Sequence, residues 1–134
     1  MEIRYNLDEV EDVAKKVVTN LKSKTLLFYG SMGVGKTTLI KTIVKTLGSF
    51  EIASSPTFSI VNEYDLENDK IYHFDLYRIK DLEEAYNFGI EDYLESNHWK
   101  LIEWPEKIEP ILFDTFDKIK LEIKEHNLRV LTLE

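Results

Sequence analysis

Along the chain, apolar positions recur at helical spacing in two stretches and at strand spacing in most of the rest. Val10, Val13, Ala14, Val17, Val18 and Leu21 fall three or four residues apart, which predicts an amphipathic helix over 8–21. Asn6 stands where an N-cap belongs, and Glu9 three residues on completes a capping box. Residues 25–29, TLLFY, form a continuous run rich in β-formers, as expected of a strand buried on both faces. Leu39, Ile40, Ile43, Val44 and Leu47 then predict a second helix, with Gly48 at its C-terminal cap.

After that helix the pattern turns to strands. Residues 58–64 alternate, with Phe58, Ile60 and Asn62 on one face and Ser59, Val61 and Glu63 on the other. A polar turn over 65–69 leads to another strand over 70–75. Residues 81–95 read as one or two short helices interrupted near Gly89, and 100–103 as a short strand halted by Trp104-Pro105. Two further apolar-patterned segments, 117–124 and 128–133, flank Glu125-His126-Asn127 and predict a terminal hairpin. The expected fold is α/β: one domain over 1–134, its mixed, mainly parallel central sheet flanked by helices and closed by a C-terminal antiparallel hairpin.

Composition narrows the function classes. At 134 residues the chain can bury a sizeable core without staples. It has no cysteine, which excludes disulfides and thiolate metal sites. No apolar run is long enough to span a bilayer, and the acidic N-terminus is unlike a signal peptide, so a cytoplasmic protein with no membrane partner is expected. The formal charge is −8, and no basic stripe is available to neutralise nucleic-acid phosphates. Lys15, Lys16, Lys22 and Lys24 are the densest basic stretch, and they read as a solvated helix face and the loop after it.

The segment between the buried strand and the second helix carries the chemistry. Gly30-Ser31-Met32-Gly33-Val34-Gly35-Lys36-Thr37 matches the phosphate-binding pattern G-x-x-x-x-G-K-[ST] at every fixed position, and Thr38 follows in the same first helical turn. The glycines let the backbone adopt positive φ and bring N–H groups close to phosphate oxygens. Lys36 supplies a positive charge for the β- and γ-phosphates, and the Thr37 hydroxyl a magnesium ligand. The helix that follows turns its positive dipole end toward the same anion. Strand, glycine turn and helix stand in the required order, so the reading is a nucleoside triphosphate with magnesium, and a P-loop NTPase domain.

An ATPase of this kind also needs a carboxylate at the end of a neighbouring strand. Asp75, ending IYHFD, and Glu103, ending KLIE, both qualify, because ligands bind at the carboxyl ends of strands in open α/β sheets. The residues alone do not choose between them. His73 lies two residues before Asp75 on the same strand face and reads as a packed, hydrogen-bonded histidine. In Ser55-Pro56-Thr57 the proline stiffens the entry to a strand, and Thr57 is either a switch hydroxyl or a turn cap. Arg78 either serves the γ-phosphate or a partner, or pairs with Asp75.

Taken together, YGSMGVGKTTL, SPTFSIVNEY, YHFDLYRI and LIEWPE, in that order, resemble the TsaE family, the small ATPase of bacterial tRNA threonylcarbamoyladenosine synthesis. The likeness runs from Leu26 to about Pro105, and the combination of SPTF, HFDLYR and IEWP is what makes it specific. It implies an ATP- and magnesium-dependent ATPase of low activity alone, stimulated by TsaB and TsaD. Contact with tRNA would come through that complex. Hydrolysis would support repeated turnover and would not chemically activate the threonylcarbamoyl group. On matching positions the resemblance implies phosphate binding by Lys36, magnesium binding by Thr37 and Glu103, and a catalytic or metal-linked role for Asp75. It also implies a switch role for Thr57 and a functional Trp104. Past Glu106 the pattern weakens, and base contacts are sought around Asn6 to Glu9 and near the terminal hairpin.

Two other classes compete. A small-molecule or nucleotide kinase would clamp the transferring phosphoryl group with several arginines, and this chain has three, Arg4, Arg78 and Arg129, with no evident lid. A nucleotide-gated interaction module would bind ATP and hardly hydrolyse it, but would not need both Asp75 and Glu103.

Overall fold

The structure, a computed structural model, describes residues 1–31, 33–50, 60–112 and 115–134. In chain order its main elements are β1 (Glu2–Tyr5), α1 (Val10–Thr19), β2 (Thr25–Tyr29), α2 (Lys36–Thr46), β3 (Val61–Asp65), β4 (Lys70–Asp75), α3 (Leu82–Asn87), α4 (Ile90–Glu95), β5 (Trp99–Glu103), β6 (Asp117–Ile123) and β7 (Arg129–Leu133). Among the described residues the strands form one sheet in the order β1-β7-β6-β2-β5-β4-β3. The four central strands are mutually parallel, and antiparallel pairs close both margins. The α/β class and the central place of β2 are as expected.

Side-chain alternation along β2 explains the layering. Leu26 and Phe28 point into a core shared with α1 and α2, where Val17, Leu39, Ile40 and Ile43 are fully buried. Leu27 points the other way, into a second core with Phe74, Ile102, Ala85 and Ile90 under α3 and α4. A strand apolar on successive residues is the signature of a sheet covered on both faces. Among the described residues no helix is long and apolar enough to cross a membrane.

The structure adjusts several sequence expectations. The Asn6–Glu9 capping box is present, with the Asn6 N–H donating to Glu9 Oε1 at 2.9 Å. It caps a single 3-10 turn over Leu7–Glu9, however, and α1 proper starts at Val10 and stops at Thr19. Strand β1 was not expected, because four residues with two charges carry little pattern of their own. It forms because β7 presents an open edge, with Tyr5 opposite Arg129. Of the strand expected over 58–64, residues 58 and 59 lie outside the described residues, Ile60 is a bend, and the strand runs Val61–Asp65, one residue further than expected. The break at Gly89 is a left-handed residue between α3 and α4. At the terminal hairpin His126 and Asn127 both take φ of 59°, the paired positive angles of a two-residue hairpin turn.

One buried carboxylate ties α1 to the sheet. Asp117, 1% exposed at the start of β6, accepts hydrogen bonds from the Lys22 and Ser23 N–H groups at 3.0 and 2.9 Å and from the Ser23 hydroxyl at 3.2 Å. Replacing it by alanine removes the charged acceptor that these loop donors share. Asp117→Ala is expected to lower unfolding free energy by about 2–4 kcal/mol in urea titrations, since a hydrogen bond to a charged group contributes about 1.5–3 kcal/mol. An unchanged urea midpoint would show that water reaches these donors.

Candidate functional site

The glycine-rich loop leaves the carboxyl end of β2 and enters α2, and its geometry depends on having no side chains at set points. Gly30, Gly33 and Gly35 take φ of 146°, 81° and 100°. A Cβ on Gly30 would lie 2.8 Å from the Leu121 carbonyl oxygen and 2.9 Å from a Val34 methyl. Gly35 occupies the N-cap of α2 in the left-handed region, so the N–H groups of the first helical turn face the loop. Val34 is buried, Ser31 and Gly33 are exposed, and Thr37 and Thr38 are half-buried on that first turn.

Lys36 is 6% exposed, rare for an ammonium. Its Nζ donates to the Gly30 carbonyl at 2.6 Å and sits 4.0 Å from the centroid of the Trp104 ring. Burial lowers its pKa, and the negative charges of Glu103, Glu106 and Asp75 oppose that shift. The ring is held there by backbone in the left-handed region, at φ 58° and ψ 51°, a strained conformation for a bulky residue. Pro105 follows, and Tyr77 packs on the indole at 5.0 Å between ring centroids. Tyr29, the last residue of β2, donates its hydroxyl to Glu109 at 2.8 Å and so ties the loop strand to the segment after Trp104.

The two candidate carboxylates stand side by side. β4 and β5 pair in parallel with Asp75 opposite Glu103, and β5 in turn pairs with β2, with Glu103 opposite Phe28. Both acids share the sheet face that carries α2 and emerge beside the loop. Asp75 is half-buried and accepts the Tyr77 N–H at 3.1 Å. Glu103 is 4% exposed, and its Oε2 lies 2.8 Å from His73 Nε2. Arg78 is exposed in the turn after β4. Met32 and Thr57 lie outside the described residues.

Two residues take places at the site that the sequence reading does not assign them. His73 was read as a packed histidine, and it is also the partner of Glu103. The clue was its i, i+2 relation to Asp75 beside a strand ending in an acid. Arg129 lies far along the chain, yet its buried Nε sits 3.5 Å from where a Gly35 Cβ would be and has no hydrogen-bond partner among the described residues. Its Nη1 donates to the Asn127 carbonyl at 2.8 Å. A cleft of about 520 Å³ opens beside the loop between Tyr29–Ser31, Val34 and residues 120–123. The strand ends before Asn6 and around the β6–β7 turn therefore converge near the helix start, through the Tyr5–Arg129 and Ile123–Arg129 pairs.

Among the described residues no three His, Asp or Glu side chains converge into a self-sufficient metal site. The oxygen donors present, the Thr37 hydroxyl and the Glu103 and Asp75 carboxylates, are those a hard cation shares with phosphate oxygens.

Comparison with known proteins gives the family and supports the fold. The family profile described as "Threonylcarbamoyl adenosine biosynthesis protein TsaE" matches residues 5–131. The tRNA threonylcarbamoyladenosine biosynthesis protein TsaE of Rickettsia felis is 36% identical over 135 residues, covering 99% of this chain and 78% of that protein. Its namesake from Haemophilus influenzae is 43% identical over 91 residues, 66% of this chain and 58% of that one. The crystal structure of YdiB from Bacillus subtilis superposes with a TM-score of 0.76 at 26% identity, covering 99% of this chain and 83% of that one.

The tight approach at Gly30 gives a direct test of the loop. Gly30→Ala is expected to cost about 1–3 kcal/mol of stability, because its methyl meets a backbone carbonyl that cannot rotate away. Chemical denaturation measures it, and a wild-type midpoint would mean that the loop yields freely.

Proposed function

The chain belongs to the TsaE family of tRNA threonylcarbamoyladenosine biosynthesis, and from that premise we propose that it is a magnesium-dependent ATPase working with TsaB and TsaD. The observation that carries the reading is the buried Lys36 ammonium, set between the glycine loop, the Trp104 ring and the Asp75–Glu103 pair. A cation kept this dry at the N-terminal end of a helix is built to receive anionic charge.

The loop N–H groups and the first turn of α2 bind the β- and γ-phosphates of ATP. Lys36 exchanges its bond to the Gly30 carbonyl for phosphate oxygens. Thr37 and Glu103 hold magnesium, which supplies positive charge against the developing negative charge of phosphoryl transfer. Asp75, one strand over from Glu103, orients the attacking water. Attack at the γ-phosphorus breaks the bond to the leaving ADP and releases inorganic phosphate. Trp104 covers Lys36 and keeps bulk water from the ammonium. Thr57 is assigned to a switch segment and Arg78 to the γ-phosphate or a partner. The base end of the nucleotide runs toward Arg129 and the β6–β7 turn, where the unpaired guanidinium nitrogen and the adjoining cleft support it.

The formal charge of −8 suits a cytoplasmic subunit that meets tRNA through its partners and not through a basic groove. Hydrolysis serves repeated turnover of the complex.

The test is ATP hydrolysis by the purified protein, alone and with TsaB and TsaD. Low activity alone and strong stimulation are expected, both abolished by Lys36→Ala. Asp75→Ala should lower stimulated turnover by roughly 10²-fold while ATP binding persists. Phosphate found on an added acceptor would instead make the protein a kinase, and binding without phosphate release a gated module.

A further inference from the structure

We propose that His73 is a positioning residue for Glu103, the last link of a polar chain reaching from β3 through β4 to β5. This rests on the reading of Glu103 as a magnesium ligand. Asn62 Nδ2 lies 3.3 Å from the Tyr64 hydroxyl, that hydroxyl 3.5 Å from His73 Nδ1, and His73 Nε2 2.8 Å from Glu103 Oε2. A carboxylate that ligates a cation can only accept, so Nε2 carries the ring N–H and donates it to Glu103, and Nδ1 is left to accept from the Tyr64 hydroxyl.

The chain is buried where it matters. His73 is 1% exposed, Glu103 4% and Tyr64 5%, so the imidazole cannot turn away without losing packing in the core. The Tyr64 and His73 rings lie 6.2 Å apart between centroids, which restricts the imidazole plane further. Because His73 takes Oε2, Oε1 is the carboxylate oxygen left to a cation beside the loop. A carboxylate held at one oxygen presents the other in a single direction, and loss of such an outer partner typically weakens metal binding by about 10–100-fold. His73 itself touches neither nucleotide nor metal in this scheme. Asp75, two residues on along the same strand face, has no comparable buried partner among the described residues, where its carboxylate accepts the exposed-turn N–H of Tyr77. The two acids are therefore unequal, with Glu103 rigid and suited to ligation and Asp75 freer and suited to guiding water.

The test measures Mn²⁺ affinity of the ATP-bound protein by electron paramagnetic resonance, and affinity for a fluorescent ATP analogue in EDTA. His73→Leu is expected to weaken Mn²⁺ binding by about 10–100-fold with nucleotide affinity in EDTA unchanged. His73→Gln, which retains an amide donor at similar reach, should restore most of it. Tyr64→Phe, which leaves the imidazole in place but frees its tautomer, should give a smaller loss and serves if His73→Leu does not fold. In a Glu103→Gln background, His73→Leu should add nothing. Wild-type Mn²⁺ affinity in folded His73→Leu, or in Tyr64→Phe should His73→Leu not fold, would overturn the proposal. So would failure of His73→Gln to rescue, or an undiminished loss in the Glu103→Gln background. If the unmodified protein binds no ATP, the ATPase reading fails first, which is a distinct result.

Discussion

The parallel register of β2, β5 and β4 is the constraint on which the site depends. It sets Phe28 opposite Glu103 and Glu103 opposite Asp75, so three strand ends arrive level at one edge of the sheet. A shift of one residue would turn both carboxylates to the opposite face, away from α2 and the loop. The register is secured by burial on both faces, because the alternate side chains of each strand belong to two separate cores. Packing far from the site thus decides where its charges lie.

Within that frame, the site is a balance of buried charge. Lys36 is dry, and the acids nearest to it partly compensate the cost of keeping an ammonium there. Trp104 adds the face of its indole, at the expense of a left-handed backbone that Pro105, Tyr77 and the Tyr29–Glu109 hydrogen bond brace. Strain of this kind persists only where surrounding contacts over-determine it. The Glu103-Trp104-Pro105 run therefore acts as one unit, in which the strand end aims the acid and the turn aims the ring.

The antiparallel margins contribute differently. On one side β3 carries Asn62 and Tyr64 toward His73 and so reaches the acid pair indirectly. On the other, β7 brings Arg129 to the start of α2, and β1 pairs beside it with Tyr5 opposite Arg129. Residues from opposite ends of the chain, on β1 and β7, thus lie side by side at one margin of the sheet.

Much of this was legible in the sequence. The loop motif, the order of strand, turn and helix, the two acids at strand ends and the hairpin all follow from local chemistry: glycine's φ range, apolar periodicity and the punctuation of Gly89 and Trp104-Pro105. The family likeness rested on those same segments. What sequence alone left open was every relation that needs two distant strands to be side by side. β1 has too few apolar residues to announce itself and exists only as a partner of β7. His73 looked like packing because its partner is 30 residues away. Arg129 looked like one of three scattered arginines until the sheet order set it against Gly35. Local pattern determines which elements form, because backbone propensity and periodicity act over a few residues. Tertiary structure alone decides which side chains share a face and a register, because those depend on how the strands are ordered and shifted against one another.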